Sequence, residues 1–173
     1  MTAAIPLRLE TTDLTALLRS ALHPLVEQAE EDGIELRIDA LGTIPSLRVD
    51  REKLAWVVTV LAGNALRHLR RADRHGIGGS LLVHLAHDEA RRSVVLAVHD
   101  DGPGISPEIL PFLFERRRGK QHALGLALLL VRDVVCAHGG TIDVETRTGM
   151  EEHGTSINVV MPVSSTGPNA TTS

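Results

Sequence analysis

The stretch Val98-His99-Asp100-Asp101-Gly102-Pro103-Gly104-Ile105 decides the fold. An apolar run ends in an acid, and two glycines follow with a proline between them. Glycine accepts backbone angles and close approaches that a Cβ forbids. The stretch therefore reads as a strand running into a tight turn, with one carboxylate held at the strand end. Read alone, it also fits a plain surface turn. A second stretch, Gly63-Asn64-Ala65-Leu66-Arg67-His68, lies upstream on a predicted helix. Together the two predict one cavity with a helix amide at one end and a strand-end carboxylate at the other.

Working outward, residues 80–87 and 93–99 read as adjacent strands joined by the loop 88–92. Upstream, Asp50 can cap a helix whose core stripe is Leu54, Val57, Val58, Leu61 and Ala65. Arg67, Arg70, Arg71 and Arg74 crowd its end, where cations suit the helix dipole. Earlier still, Asp13 can cap a helix carrying Leu14, Leu17, Leu18, Ala21, Leu22 and Leu25, with a kink expected at Pro24 and a stop at Asp32-Gly33. Ile34, Leu36 and Ile38 alternate with charged residues and predict a half-exposed strand, and Ser46 to Val49 predicts a short one. Downstream, Pro107 to Phe114 predicts a short helix, and Leu124 to Ala137 a strongly apolar one closed by Gly139-Gly140. Thr141 to Thr146 and Thr155 to Val160 predict a last strand pair. Strands cluster instead of alternating with helices. The expected class is therefore α+β: a two-layer sandwich with a mixed, mostly antiparallel sheet and about three main helices on one face. Residues 1–11 read as a leading linker, 12–163 as one domain, and 164–173 as a disordered tail rich in Ser, Thr, Gly, Pro and Asn.

The chain has 173 residues, enough for one domain with a full core. Aromatics are only 2%, so the core must be aliphatic and stacking on nucleic-acid bases is not expected. The net charge of −4 gives no basic field for DNA or an anionic membrane. The single cysteine, Cys136, excludes an intramolecular disulfide, and its apolar neighbours predict a buried thiol. No apolar run approaches the ~20 residues of a spanning helix, and no signal peptide opens the chain. A cytoplasmic location is the expectation.

Three elements carry chemistry. Asp100 can accept a hydrogen bond from an exocyclic amine, with Gly102 and Gly104 letting backbone approach a purine. Asn64 sits in an apolar helix, where a buried amide needs a partner. Its oxygen suits Mg²⁺, although a bond to neighbouring backbone would also satisfy it. Arg67 and His68 follow about one turn later. Leu124-Gly125-Leu126 leads into the long helix, whose N-terminus offers free N–H groups to phosphates; Gly125 equally suits tight helix packing.

These motifs, in this order, resemble the catalytic, ATP-binding domain of bacterial sensor histidine kinases, over about residues 8–163. That domain belongs to the Bergerat-fold group with DNA gyrase B, Hsp90 and MutL. Leu61-Ala62-Gly63-Asn64-Ala65 resembles the N box, and Asp100-Asp101-Gly102-Pro103-Gly104-Ile105 the first glycine box. Leu113-Phe114-Glu115-Arg116 resembles the F box, and Leu124-Gly125-Leu126-Ala127 the end of the second glycine box. His138-Gly139-Gly140 and Gly154-Thr155 are similar to the closing strands. The resemblance implies a Bergerat sandwich that binds ATP and Mg²⁺. Asn64 would hold the metal, and Asp100 the adenine amine with Thr155 close by. Gly102 and Gly104 would shape the adenine side, Arg67 and His68 would face the phosphates, and Leu124, Gly125 and Leu126 would meet the phosphate tail. The implied reaction is γ-phosphoryl transfer to a histidine on a dimerisation domain, with a response regulator downstream. The domain itself would be monomeric, and a membrane-anchored parent kinase would keep it on the cytoplasmic side.

The departures lie at the phosphate end. Val60 stands four residues before Asn64, where the family carries Asn or Glu. Gln121-His122-Ala123 replaces the start of the second glycine box, and Arg117 the second Phe of the F box. Arg116, Arg117, Arg118 and Lys120 form a basic run that suits phosphates or simply solvent. These changes predict a retained fold with weakened nucleotide binding. A degenerate docking module, or an anti-sigma-type serine kinase, are the alternatives. No histidine has the sequence context of a phosphoacceptor: His23 precedes Pro24 on the first helix and reads as an ordinary side chain.

Overall fold

The computed structural model describes residues 5–73, 79–115 and 122–163. A helix, α1 (Leu14–Glu31), starts where the Asp13 carboxylate accepts the Ala16 N–H at 3.1 Å. It runs through Pro24 to Glu31 and buries Leu14, Leu17, Leu18 and Leu22. Gly33, at φ +69°, turns the chain out of it, and the Ile34 N–H closes the turn on the Ala29 carbonyl. The second helix, α2 (Arg51–Asp73), packs on α1 and is capped by Asp50, which accepts the Lys53 N–H at 3.1 Å. Leu54, Val57, Val58, Leu61, Ala62 and Ala65 form its buried stripe, as the periodicity predicts. Arg70, near its C-terminal end, pairs with Asp32 at the end of α1.

The strands β2 (Glu35–Leu41), β4 (Ser80–Asp88), β5 (Ser93–Asp100), β6 (Thr141–Thr148) and β7 (His153–Pro162) form one sheet in the order β2-β4-β5-β7-β6. Only β2 and β4 run parallel; the other neighbours are antiparallel. The sheet is therefore mixed and mostly antiparallel, as expected. Side chains alternate across each strand. Val83 and Leu85 of β4, Val94 and Leu96 of β5, and Ile157 and Val159 of β7 join the buried core with residues of α1, α2 and α3 (His122–Ala137). A second, two-stranded sheet pairs β1 (Glu10–Thr12) with β3 (Leu47–Val49). β1 crosses the boundary drawn at residue 11, and the Arg8 N–H already bonds Asp50 at 2.9 Å.

Two expectations are corrected. The helix predicted from Pro107 to Phe114 is reduced to one 3₁₀ turn at Leu110–Phe112. Pro111 lies in its middle, lacks an N–H and would clash with the carbonyl four residues earlier in an α-helix. Cys136 is exposed, not buried. It follows Val135, and one step along a helix turns about 100°. Leu128, Val131, Val134 and Val135 face the core, so Cys136 points outward. The expected tail at 164–173 and the basic run from Arg116 to Lys120, with Gln121, lie outside the described residues.

Candidate functional site

Asp100 ends β5 and sits directly opposite Thr155 of β7. It is buried, with only 6% of its surface exposed, and its Oδ1 accepts the Gly102 N–H at 2.9 Å. Burial pushes its carboxyl up to about 6, against the Gly102 bond and nearby His99, with the Asp101 charge adding to the rise. Asp101 serves a different purpose. Its Oδ1 accepts the Gly79 and Ser80 N–H groups at 2.7 and 2.9 Å, and its Oδ2 the Ser80 hydroxyl at 2.8 Å. Burial acts to raise this carboxyl, but those bonds outweigh it and hold the group below its usual range. One acid of the pair ties β5 to the start of β4, and the other faces the cavity.

The glycines of the turn are required by protein neighbours. A Cβ on Gly102 would lie 2.8 Å from Asp100 Oδ1. Gly104 has φ +79°, and a Cβ there would lie 2.2 Å from the Arg147 carbonyl oxygen. The Ile105 N–H bonds Thr146 Oγ1 at 2.8 Å, and that hydroxyl also reaches the Gly154 carbonyl at 3.1 Å. It lies 3.2 Å from Thr155 Oγ1. The β6–β7 hairpin thus grips the turn. Sequence reasoning assigned the glycines to purine approach and missed this grip, because Thr146 and Arg147 are distant in the chain and unremarkable in type.

The other wall is α2. Asn64 is also only 6% exposed. Its Oδ1 accepts from the Arg67 guanidinium, and its Nδ2 is buried without a hydrogen-bond partner. Asn64, Ala65 and His68 line the same cavity as Asp100 and Thr155, and Leu61, Val98, Ile105, Leu113, Leu128 and Ile157 supply apolar walls. A few polar groups set among apolar walls suit a flat heterocycle carrying a charged tail. Arg67 is exposed and reaches the site only through Asn64. Val60 packs against the core and offers no oxygen.

The helix α3 begins at His122, two residues before the start predicted at Leu124. Leu124 and Gly125 fall among its first four residues, whose N–H groups have no intrahelical acceptor. Leu126 is the fifth residue, is 44% exposed and does not line the cavity. Its inward counterpart is Leu128, which sequence reasoning passed over. The helical period carries the signal, since Leu128 shares a stripe with Val131 and Val135.

The donor set fits a magnesium ion as a single protein ligand. Asn64 provides one amide oxygen at the cavity wall, where it accepts from the Arg67 cation. Magnesium keeps several waters and takes few protein oxygens beside substrate phosphates, so the phosphates would supply the anionic ligands that a neutral amide does not. No group of three or more His, Cys, Asp or Glu side chains placed to hold a metal occurs among the described residues.

Residues 49–165 match the family described as histidine kinase-, DNA gyrase B-, and HSP90-like ATPase, and the chain belongs to that family. Within it, the chain corresponds to the ATP-binding catalytic domain of sensor histidine kinases. The sensor histidine kinase ZraS of Escherichia coli strain K12 is 29% identical over 161 residues, covering 92% of this chain and 32% of that protein. The structure of full-length ShkA in complex with AMPPNP aligns with a TM-score of 0.77 and 26% identity over 92% of this chain and 32% of that one. The mycobacterial sensor histidine kinase MprB aligns at 0.71 and 26% over 90% of this chain and 97% of that one. The chain spans about a third of the length of the first curated relatives it matches. No helix among the described residues is long and apolar enough to cross a membrane.

Proposed function

We propose that this domain binds Mg-ATP between α2 and the glycine turn and presents its γ-phosphoryl group to a histidine on a dimerisation domain. The phosphoryl group would then pass to a response regulator. The observation that carries the reading is the convergence of Asn64 and Asp100, 36 positions apart in sequence, on one cavity with Thr155. The sensor histidine kinase relatives support it.

In this reading Asp100 accepts the exocyclic amine of adenine. A carboxylate favours an amine there and repels a carbonyl oxygen, so guanine is disfavoured. Thr155 lies beside it, and the apolar walls exclude water from the ring. Gly102 and Gly104 fix the turn that carries this end. The N–H groups of Leu124 and Gly125 meet the phosphate tail, with Leu126 continuing the helix behind them. Arg67 leaves the Asn64 oxygen and turns to the phosphates, and His68 faces them from the same helix. Asn64 would then hold magnesium, which when bound would offset the phosphate charge. The domain's contribution is positioning; the acceptor imidazole supplies the nucleophile.

Val60 favours a second reading, in which the fold persists as a docking module without turnover. Titration with Mg-ATP, followed by thermal shift, separates the two. Binding that is weakened in Asn64→Ala and in Asp100→Asn supports the kinase domain. No shift at millimolar ATP supports the docking module.

A further inference from the structure

We infer that His153 is a positioning residue that sets adenine selectivity by holding the peptide on which Asp100 rests. This inference depends on Asp100 reading the adenine amine, as proposed above.

His153 opens β7 and is half-buried. Its Nδ1 lies 2.8 Å from the Asp101 carbonyl oxygen and 3.0 Å from the Gly102 carbonyl oxygen. Both partners are acceptors only, so Nδ1 carries a hydrogen and donates to them. The Gly102 residue is thereby held from both sides. Its carbonyl accepts from His153, and its N–H donates to Asp100 Oδ1 at 2.9 Å. The polar chain runs from His153 through Gly102 to the carboxylate that faces the cavity. The neighbouring Gly154 keeps β7 close, since a Cβ there would lie 2.5 Å from the Asp100 carbonyl oxygen. A donor at 153 therefore acts on the turn without touching nucleotide, and its removal frees the Gly102 peptide to rotate. The Asp100 carboxylate then loses the orientation that separates an amine from a carbonyl oxygen.

The test compares ADP and GDP affinities of the whole chain by calorimetric titration, for wild type, His153→Leu, His153→Asn and Asp100→Asn. Asn places an N–H donor where Nδ1 stood, whereas Leu fills the space without one. The expected result is a fall of about tenfold in the ADP-to-GDP affinity ratio for His153→Leu, with Asn restoring most of it. A loss of folded fraction lowers both affinities together and leaves the ratio unchanged, so a purely structural role would not move this readout. An unchanged ratio in His153→Leu, with wild type still preferring ADP, overturns the inference alone. Wild type without preference for ADP, or a preference that survives in Asp100→Asn, overturns the reading of Asp100 and the inference with it.

Discussion

Asp100 is an acid whose burial raises it to about 6 while its function asks for a charge. Its unfolded value is near 4. A carboxyl raised on folding favours the fold at low pH, and that contribution is lost as pH rises through about 6. Asp100→Asn is thus expected to stabilise the domain at pH 7.5 by about 1–3 kcal/mol while weakening ATP about tenfold. Melting curves at pH 5 and 7.5 check this: the gain should shrink at pH 5, and a lower melting temperature at pH 7.5 would contradict it. Gly104 makes a second, separable case. Gly33 and Gly104 both have positive φ, but a Cβ meets nothing within 4 Å at Gly33 and the Arg147 carbonyl at 2.2 Å at Gly104. Gly33→Ala should cost about 1 kcal/mol and Gly104→Ala about 2–4 kcal/mol in chemical denaturation. Equal losses would show that the hairpin does not grip the turn.

Asp50 joins three elements. It caps α2, accepts the Arg8 N–H and takes the Lys53 ammonium at 2.9 Å. Its own N–H donates at 2.9 Å to Nε2 of His138, just beyond α3, whose Nδ1 is fixed by the Val134 carbonyl at 2.8 Å. The Arg8 N–H and the Lys53 contacts outweigh burial and hold its carboxyl well below the usual range. Such an acid stabilises the fold above its unfolded value near 4, and the contribution is lost as pH falls below that. Asp50→Ala should cost about 2 kcal/mol at pH 7, less at pH 3, measured by urea unfolding. A loss that does not shrink in acid would contradict the charge-assisted cap. The cap itself is legible in the sequence, because Asp precedes an apolar helical stripe. Its bond to His138 is not, since nothing local links positions 50 and 138. Two elements misread for local reasons, a proline inside one predicted helix and the helical phase of another. Pro111 cut the predicted 107–114 helix to a single turn. Cys136 sits among apolar residues in sequence yet on the outer side of α3.

At the scale of the molecule, clustering of strands in the sequence implied a mixed sheet, and the order β2-β4-β5-β7-β6 bears out that class. The order itself was not legible, because β7 inserts between β5 and β6 through contacts distant in sequence. The site reads similarly. Asn64, His68, Asp100 and Thr155, named from their motifs, share the cavity, while Arg67 reaches it through Asn64 and Leu126 stays outside. Leu61, Ile105 and Leu113 lie inside the quoted motifs and line the apolar walls, whereas Leu128, outside any motif, is found only by the helical period of α3. The sandwich holds α2 against the glycine turn, with Leu69 beside Gly102, and on that juxtaposition nucleotide binding depends. A crystal structure of the domain with a non-hydrolysable ATP analogue and Mg²⁺ tests it most directly. The adenine amine is expected on Asp100 and the phosphates between Asn64 and the start of α3. An analogue bound elsewhere, or reversed so that its phosphates face Asp100, would contradict it.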